Sequence, residues 1–236
     1  GFCLNPFSMI DASRVAQDED YKLDCMAMLK AIVGQMARFI DRLNDTERGL
    51  IDAAVNSVWE AHGSQGSVER VAAALRATEN VDAVNLGIAM SPFCAGGTYG
   101  RFFEGEATLR LEADFTVFEL SDLASREELR AVVLTAIMFM TTQLMTRTPR
   151  SVKKMLLIDE AWQMLKGGSM ADFVEAYART CRKYGGALAT ATQSLNDYYK
   201  SEGAQAALEN SDWMLVLQRK PETIASDVDG YEVSFD

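Results

Sequence analysis

The run Met155-Leu-Leu-Ile-Asp159-Glu160 constrains the fold of this 236-residue chain more than any other segment. Its four consecutive apolar residues predict a strand buried on both faces, and such strands belong to parallel sheets that are covered by helices. Two carboxylates follow directly, at the carboxyl edge where open α/β sheets bind their ligands. Taken alone, the same pattern also fits a strand that ends in two solvated acids, because short motifs match by chance.

Strand and helix patterns alternate through the second half of the chain. Apolar runs at 115–120, 187–192 and 213–218 predict further strands. A long apolar stretch at 125–145 and an amphipathic stretch at 169–184 predict helices. This alternation is typical of an α/β fold with a mostly parallel sheet.

The first half of the chain follows a helical pattern after one short predicted strand at residues 2–7. Apolar residues recur there at three- and four-residue spacing, which indicates amphipathic helices. A helix is expected from the acidic start Asp18-Glu-Asp, which suits the positive end of a helix dipole. Further helices are expected after Asp45-Thr46 and after Ser67, which are good helix caps. The domain prediction is therefore a partial α/β core with an all-helical insertion. The predicted boundaries are residues 1–16 and 94–236 for the core and residues 17–93 for the insertion.

Composition limits the classes of function. With 34 acidic and 23 basic side chains the formal net charge is −11, which repels phosphate backbones and disfavours direct DNA binding by this chain. The four cysteines form no CxxC pair, so buried, reduced thiols are expected rather than a zinc site or a disulfide framework. The longest apolar run, residues 131–140, is shorter than the ~20 residues of a membrane-spanning helix. We therefore expect a soluble, cytoplasmic protein.

Three polar side chains at the predicted strand ends are candidates for nucleotide chemistry. Asp159 can hold a magnesium ion through water beside phosphate groups, and Glu160 can orient or deprotonate a hydrolytic water. Gln193 follows the next strand, and its amide offers a donor and an acceptor to a terminal phosphate or to the attacking water. The alternative for the second strand end is that Thr192, Gln193 or Ser194 only caps the following helix, and we expect Ser194 to do so.

Cationic candidates lie at the ends of other predicted elements. Arg179 and Arg182 end the helix at 169–184, and Arg219 follows the apolar run at 213–218. Arginine stabilises the charge that develops on a phosphoryl group, often from a neighbouring subunit. The alternative for Arg179 and Arg182 is a favourable interaction between a cation and a helix C-terminus. The alternative for Arg219 is an ordinary solvent-exposed position at the edge of the sheet.

A phosphate-binding loop of the pattern Gly-x-x-x-x-Gly-Lys-Ser/Thr is absent from the sequence. The glycine-rich stretch Gly96-Gly97-Thr98-Tyr99-Gly100-Arg101 contains no lysine, and no predicted strand leads into it. We therefore reject it as a substitute for that loop.

Taken together, these motifs resemble the C-terminal motor domain of the TraC/VirB-type conjugation ATPases of type IV secretion systems, in the HerA/FtsK-like branch of the RecA-fold proteins. Met155–Trp162 resembles the family's Walker B segment with its trailing Ala-Trp. Thr190–Ser194 resembles its sensor strand, and Asn210–Pro221 resembles the next motif strand. Leu4–Phe7 resembles a segment that the family carries shortly after its phosphate-binding loop.

The resemblance implies a RecA-like three-layer motor core that hydrolyses ATP with magnesium, as a hexamer. Its place would be the cytoplasmic face of the inner membrane, where it would work with other secretion components in pilus assembly and substrate transfer. By position, Asp159 would serve magnesium, Glu160 would activate water, and Gln193 would sense the γ-phosphate. Arg179 or Arg182 would be the finger that reaches a neighbour's site.

The missing phosphate-binding loop departs from the family pattern. The family places it upstream of Leu4–Phe7, so truncation explains the absence better than loss of function, and the chain alone is expected to be weak or inactive. Two other classes of function stay open. One is a non-catalytic oligomerisation or partner-docking module whose acidic pair is vestigial. The other is a DNA-binding translocase domain, which the acidic charge argues against.

Overall fold

The computed structural model of the chain describes residues 3–39, 43–109, 111, 113–160, 169–199 and 202–215, with the backbone alone for 169–172, 195, 202 and 203. It divides into two compact units, Gly1–Met140 and Thr141–Asp236.

The first unit consists of helices joined by short irregular segments. The α-helices are α1 Ala12–Val15, α2 Glu19–Ala37, α3 Asp45–His62, α4 Val68–Arg76, α5 Val81–Ala89 and α6 Glu127–Arg147, whose end lies in the second unit. Single 3-10 turns lie at Gly63–Gln65, Ser91–Phe93, Gly100–Phe102 and Ser121–Leu123.

Polar side chains fix where these helices begin. Ser67 caps α4, as the sequence predicts, and Asp18 in the acidic start of α2 caps that helix. Helix α3 begins one residue earlier than predicted, because Asn44 rather than Asp45 is the cap. The Asn44 side chain accepts from the backbone N–H of Glu47 at 2.9 Å, and the Glu47 carboxylate accepts from the Asn44 N–H at 3.0 Å. This reciprocal pair satisfies two N–H groups that a helix start leaves without partners.

The apolar faces of the helices form one core in this unit. Its fully buried side chains include Phe7, Leu29, Val33, Val55, Val71 and Met90. The ring of Phe7 packs so closely on Gly66 that a Cβ there would lie 2.3 Å from it. The prediction of a strand at residues 2–7 is wrong for the described residues 3–7. The Leu4 N–H donates to Phe102 and the Cys3 carbonyl accepts from Thr108, so no continuous ladder forms.

The second unit holds a parallel sheet with helices. Its elements are β1 Lys154–Ile158, α7 Ser169–Thr180, a 3-10 turn Cys181–Tyr184, β2 Gly186–Thr190, a 3-10 helix Leu195–Tyr199 and α8 Glu202–Glu209. β1 and β2 pair in parallel with Lys154 opposite Gly186 and Ile158 opposite Thr190. The prediction of a helix-rich α/β fold with a parallel sheet is confirmed, while the proposed boundaries of a helical insertion at 17–93 stay a prediction.

The two faces of the sheet differ in burial. Leu156 and Ile158 point to the face that packs against Val174 of α7 and the apolar residues of α8. Met155 and Leu157 point to the other face and are 69% and 65% exposed. The sequence predicts a strand buried on both faces, but in the part of the chain that the structure describes, helices cover only one.

Within the described residues, two further predicted strands are not formed. Residues 116–120 are irregular, with Phe115 and Val117 exposed, and so are residues 213–215, with Trp213 and Leu215 exposed. A strand needs a hydrogen-bonded neighbour, and within the described ranges neither segment has joined the sheet. The rest of the second prediction, 216–218, lies outside the described residues.

Helix α6 is long and apolar enough to cross a membrane by length and composition alone, with a mean hydropathy of 1.4 over its best window. This helix extends beyond the apolar run at 131–140. Core helices of soluble proteins can have the same length and apolar composition. Its C-terminal end is fastened to β1, because the Lys154 ammonium donates to the carbonyls of Met145, Thr148 and Pro149 at 3.0–3.4 Å. Lysine therefore satisfies carbonyls that a helix end leaves open.

Candidate functional site

The carboxyl ends of β1 and β2 form one edge of the sheet. Asp159 and Glu160 follow β1, and residues 191–193 follow β2. The Ala191 N–H donates to the Ile158 carbonyl at 2.9 Å, so the parallel ladder continues one residue past the strands. The residues that the sequence predicts to share an edge are therefore brought together.

Glu160 and Gln193 are in direct contact at this edge. The Gln193 side-chain amide donates to the Glu160 carboxylate with Nε2 and Oε1 2.8 Å apart. Both side chains are exposed, so a ligand in solvent can reach them. A carboxylate held by an amide that also carries an acceptor oxygen can orient a water or contact a phosphate.

The backbone at Glu160 is held in an uncommon conformation. Its φ is 53°, the only positive value at a non-glycine residue in the described part of the chain. An L-residue there costs about 1–2 kcal/mol. The Asp159 carboxylate accepts from the Glu160 N–H at 2.9 Å and stabilises this turn. Strain of this kind concentrates at functional sites, so the conformation marks the end of β1 as a candidate.

Asp159 fits the chemistry of a magnesium ligand. It is exposed at the carboxyl edge, and one bond to a backbone N–H uses only part of the acceptor capacity of a carboxylate. Magnesium prefers oxygen ligands and keeps several waters when it binds one or two carboxylates beside phosphates. Asp159 can therefore hold the ion directly or through water.

The turn after β2 begins the 3-10 helix Leu195–Tyr199. The Ser194 hydroxyl accepts from the Asn196 N–H at 3.2 Å, so Ser194 caps this helix as the sequence predicts. Gln193 is therefore not the capping residue, and its side chain is directed to Glu160 instead.

Sequence reasoning missed two residues of that helix that reach back to β2. The Thr192 hydroxyl donates to the buried Asp197 carboxylate at 2.5 Å. The Tyr198 hydroxyl lies 2.7 Å from that of Thr190 and donates to the Thr190 carbonyl at 3.3 Å. The sequence did offer an indication, because Asp197 and Tyr198 follow shortly after a predicted strand that ends in threonines.

The two candidate arginines make ion pairs in the second unit. Arg179 donates to Glu175 one turn back on α7 at 2.9 Å, and Arg182 donates to both oxygens of Asp212 at 2.8 and 2.9 Å. All these groups except Glu175 are mainly exposed. Exposed pairs stabilise by about 0–1 kcal/mol, so either arginine can exchange its partner at small cost. Arg219 lies outside the described residues.

The glycine-rich stretch at 96–101 has a structural reason for its glycines. A Cβ at Gly97 would lie 2.2 Å from the Ser91 carbonyl, and a Cβ at Gly100 would lie 2.1 Å from the Cys94 carbonyl. The Gly97 N–H donates to the Cys94 carbonyl, and the Gly100 N–H donates to the Gly97 carbonyl. A phosphate-binding loop needs these N–H groups for its ligand, so this stretch does not serve as one.

Comparison with known proteins gives one matching family and two curated relatives. The family described as TraG P-loop domain matches residues 15–225. Protein TraC of Escherichia coli (strain K12) is 29% identical over 239 residues, covering 94% of this chain and 26% of TraC. Type IV secretion system protein virB4 of Bartonella quintana (strain Toulouse) is 24% identical over 168 residues, covering 71% of this chain and 20% of virB4.

A solved structure shares the fold. VirB4 of Thermoanaerobacter pseudethanolicus aligns with a TM-score of 0.67 at 20% identity, covering 95% of this chain and 63% of that chain. The chain thus spans about a quarter and a fifth of the two curated relatives and under two thirds of the solved one.

Proposed function

The chain belongs to the TraG P-loop domain family, and from this premise we propose that it forms the hydrolysing side of the ATP site of a type IV secretion motor. The observation that carries the proposal is the 2.8 Å contact between Gln193 and Glu160 at the carboxyl edge of the parallel sheet. Ligands of open α/β sheets bind at that edge, and the contact joins an acid to an amide, two kinds of group with which phosphoryl-transfer enzymes orient or deprotonate the nucleophile.

Each residue of the edge has a distinct role in this proposal. Asp159 holds a magnesium ion through water, and such an ion, when bound, neutralises charge on the phosphates. Glu160 accepts a proton from, or orients, the water that attacks the γ-phosphate. Gln193 holds the Glu160 carboxylate in place and offers its amide to the γ-phosphate. The positive φ of Glu160 turns its side chain away from the direction that a regular strand would give it.

Cations complete the site in an oligomer. We assign the finger that stabilises transition-state charge to Arg179 or Arg182, acting in the site of a neighbouring subunit of a homo-hexamer. Their exposure and their weak ion pairs support this role, because a finger must leave its own chain and reach a phosphate. Arg219, which follows the apolar run at 213–218 in the sequence, is also proposed to contact the nucleotide.

The phosphates need a further binding element. A phosphate-binding loop supplies several charge-assisted hydrogen bonds of about 1.5–3 kcal/mol each, and the sequence has no such loop. We propose that the chain binds ATP weakly by itself and that a polypeptide extended upstream with the loop is active. The whole motor is proposed to act at the cytoplasmic face of the inner membrane, with other secretion components, in pilus assembly and substrate transfer.

The test is ATP hydrolysis by the extended polypeptide beside its Glu160→Gln variant. We expect turnover that falls at least about 100-fold in the variant, the usual size of a general-base effect, with magnesium-ATP binding retained. Glu209→Gln is the matched control, because Glu209 is an exposed acid of α8 that accepts a hydrogen bond from Gln205 on the same helix.

Other outcomes separate the remaining functions. Tight magnesium-ATP binding without turnover in the extended protein would point to a requirement for the ring or a partner. Absence of nucleotide binding would overturn the motor proposal and favour a non-catalytic oligomerisation or docking module. A DNA complex that weakens with salt would favour the translocase class.

A further inference from the structure

Gln193 lies between two residues whose hydrogen bonds join the end of β2 to the following 3-10 helix. On one side the Thr192 hydroxyl donates to Asp197 at 2.5 Å. On the other side the Ser194 carbonyl accepts from the Asp197 N–H at 3.2 Å. Asp197 therefore contacts both sequence neighbours of Gln193 and sets the path of the backbone that carries it.

The burial of Asp197 makes these hydrogen bonds costly to break. Asp197 is 7% exposed, and a carboxylate that is removed from water needs hydrogen-bond donors to compensate for its lost hydration. The Thr192 hydroxyl is one such donor. A move of Thr192 away from Asp197 would weaken that compensation, so the pair resists displacement of the turn.

Tyr198 anchors the same turn to the strand itself. Its side chain is 7% exposed and belongs to the apolar cluster that includes Ile158 and Val174. Its hydroxyl lies 2.7 Å from the Thr190 hydroxyl and donates to the Thr190 carbonyl at 3.3 Å. The 3-10 helix is thereby fixed to the last residue of β2 as well as to the turn.

We propose that Asp197 and Tyr198 are positioning residues, which place Gln193 so that its amide meets the Glu160 carboxylate at 2.8 Å. Asp197 acts through Thr192, and Tyr198 acts through Thr190. Neither residue touches the nucleotide. The inference rests on the proposed ATPase function, since a position for Gln193 matters only where Glu160 and Gln193 act together.

The test compares Thr192→Val with Thr192→Ser in the full-length motor protein. The valine variant removes the hydroxyl at nearly unchanged volume, whereas the serine variant keeps it. We expect kcat to fall about tenfold with valine, the size expected for one lost hydrogen bond, at an unchanged KM for ATP. Serine should keep kcat within about twofold of the wild type. Tyr198→Phe, which leaves the ring in the core, should also lower kcat, and it replaces the valine variant if that one does not fold.

A Gln193→Ala background separates positioning from a general effect on folding. If Asp197 acts through Gln193, Thr192→Val should lower kcat by less than about twofold in that background, because coupled residues are not additive. A full tenfold loss there, or an equal loss with serine, would overturn the positioning role.

Glu160→Gln tells the two proposals apart. If it abolishes turnover while Gln193→Ala leaves kcat unchanged, the positioning proposal and the role of Gln193 are wrong, and ATP hydrolysis with Glu160 as the acting carboxylate stands. If Glu160→Gln keeps wild-type turnover, both are wrong.

Discussion

The side-chain amide of Gln193 donates to the carboxylate of Glu160 across 2.8 Å, although the two residues are 33 positions apart in the chain. The contact exists because β1 and β2 are parallel and end at the same level, with Ile158 opposite Thr190. Since the first acid of the pair, Asp159, lies at the same edge, three candidate side chains share a surface that a phosphate and its ion can occupy.

Removal of the amide should reduce turnover without abolishing it. We expect Gln193→Ala in the extended polypeptide to lower kcat by about tenfold, the effect of one ordering hydrogen bond. The double variant with Glu160→Gln should be no slower than Glu160→Gln alone, because Gln193 acts on that carboxylate. Steady-state kinetics measures both. Gln205→Ala removes a matched 2.8 Å contact to Glu209 on α8 and should leave kcat unchanged.

Mixed oligomers should reveal which arginine acts in a neighbouring site. Subunits with Arg182→Ala and subunits with Glu160→Gln should each be inactive alone, and their mixture should regain part of the activity. The reason is that some interfaces then combine an intact carboxylate with an intact finger. If the mixture with Arg182→Ala does not regain activity, the same experiment with Arg179→Ala tests whether Arg179 is the finger. Failure of both mixtures to regain activity would contradict a finger supplied in trans.

Gly185 should tolerate no side chain. Its φ is +74°, and a Cβ would lie 2.3 Å from the Arg150 carbonyl. We expect Gly185→Ala to lower the free energy of unfolding by about 2 kcal/mol or more, since the backbone before β2 must shift. Urea denaturation measures the loss. Gly49→Ala on α3 has open space around its Cβ and should instead gain about 0.5–1 kcal/mol from helix propensity.

Acid should weaken the start of helix α3 through Glu47. Hydrogen bonds from Arg38 and from the Asn44 N–H hold the pKa of the Glu47 carboxyl below its usual value. With the folded pKa below the unfolded one, the stabilisation is complete above about pH 4.3 and is lost as the pH falls through the folded pKa.

The corresponding variant is Glu47→Gln, which keeps a capping side chain but removes the charge. Its destabilisation relative to the wild type should be largest at neutral pH and should shrink as the pH falls below about 4.3. Unfolding free energies from pH 3 to 7 measure the difference. Asp45→Asn changes an exposed acid with only a 3.9 Å ion pair and should show a much smaller change with pH.

The thiols should react slowly in the folded chain. All four cysteines are buried, and burial, followed by the nearby Glu69 charge, raises the pKa of Cys94 to about 11. Its reactive thiolate is therefore scarce at pH 8 and becomes abundant only as the pH approaches 11. Labelling with a disulfide reagent should be slow in buffer and fast in urea. An added thiol at the exposed position Ser125→Cys should label at once, and equally fast labelling of Cys94 would contradict the prediction.

The sequence was sufficient for the sheet edge because that edge depends on local patterns. An apolar run that ends in Asp159-Glu160, and another that ends before Gln193, each indicate a buried strand with polar groups after it. The parallel pairing then follows from the intervening helix pattern. The α/β fold class and the placement of Glu160 and Gln193 at one sheet edge could therefore be anticipated.

Other features depended on neighbours that a local pattern does not reveal. Phe115 and Val117 alternate like strand residues, but a strand forms only beside another one. The cap of α3 was misplaced because Asn44 and Asp45 are both good caps, and only the reciprocal contact with Glu47 distinguishes them. The hydrogen bonds that Asp197 makes at the end of β2 could not be predicted, because they depend on the backbone path of the following turn, which the local sequence does not determine.

The parallel pairing of β1 and β2 also has a consequence for the order of events during folding. Parallel strands can meet only after the intervening chain has crossed over, so their contacts are long-range and form slowly. The contact between Glu160 and Gln193 cannot precede that closure. In a nascent chain, the acid and its amide partner therefore stay apart until translation has passed β2. The Glu160–Gln193 pair forms in the same kinetic step in which the two strands pair.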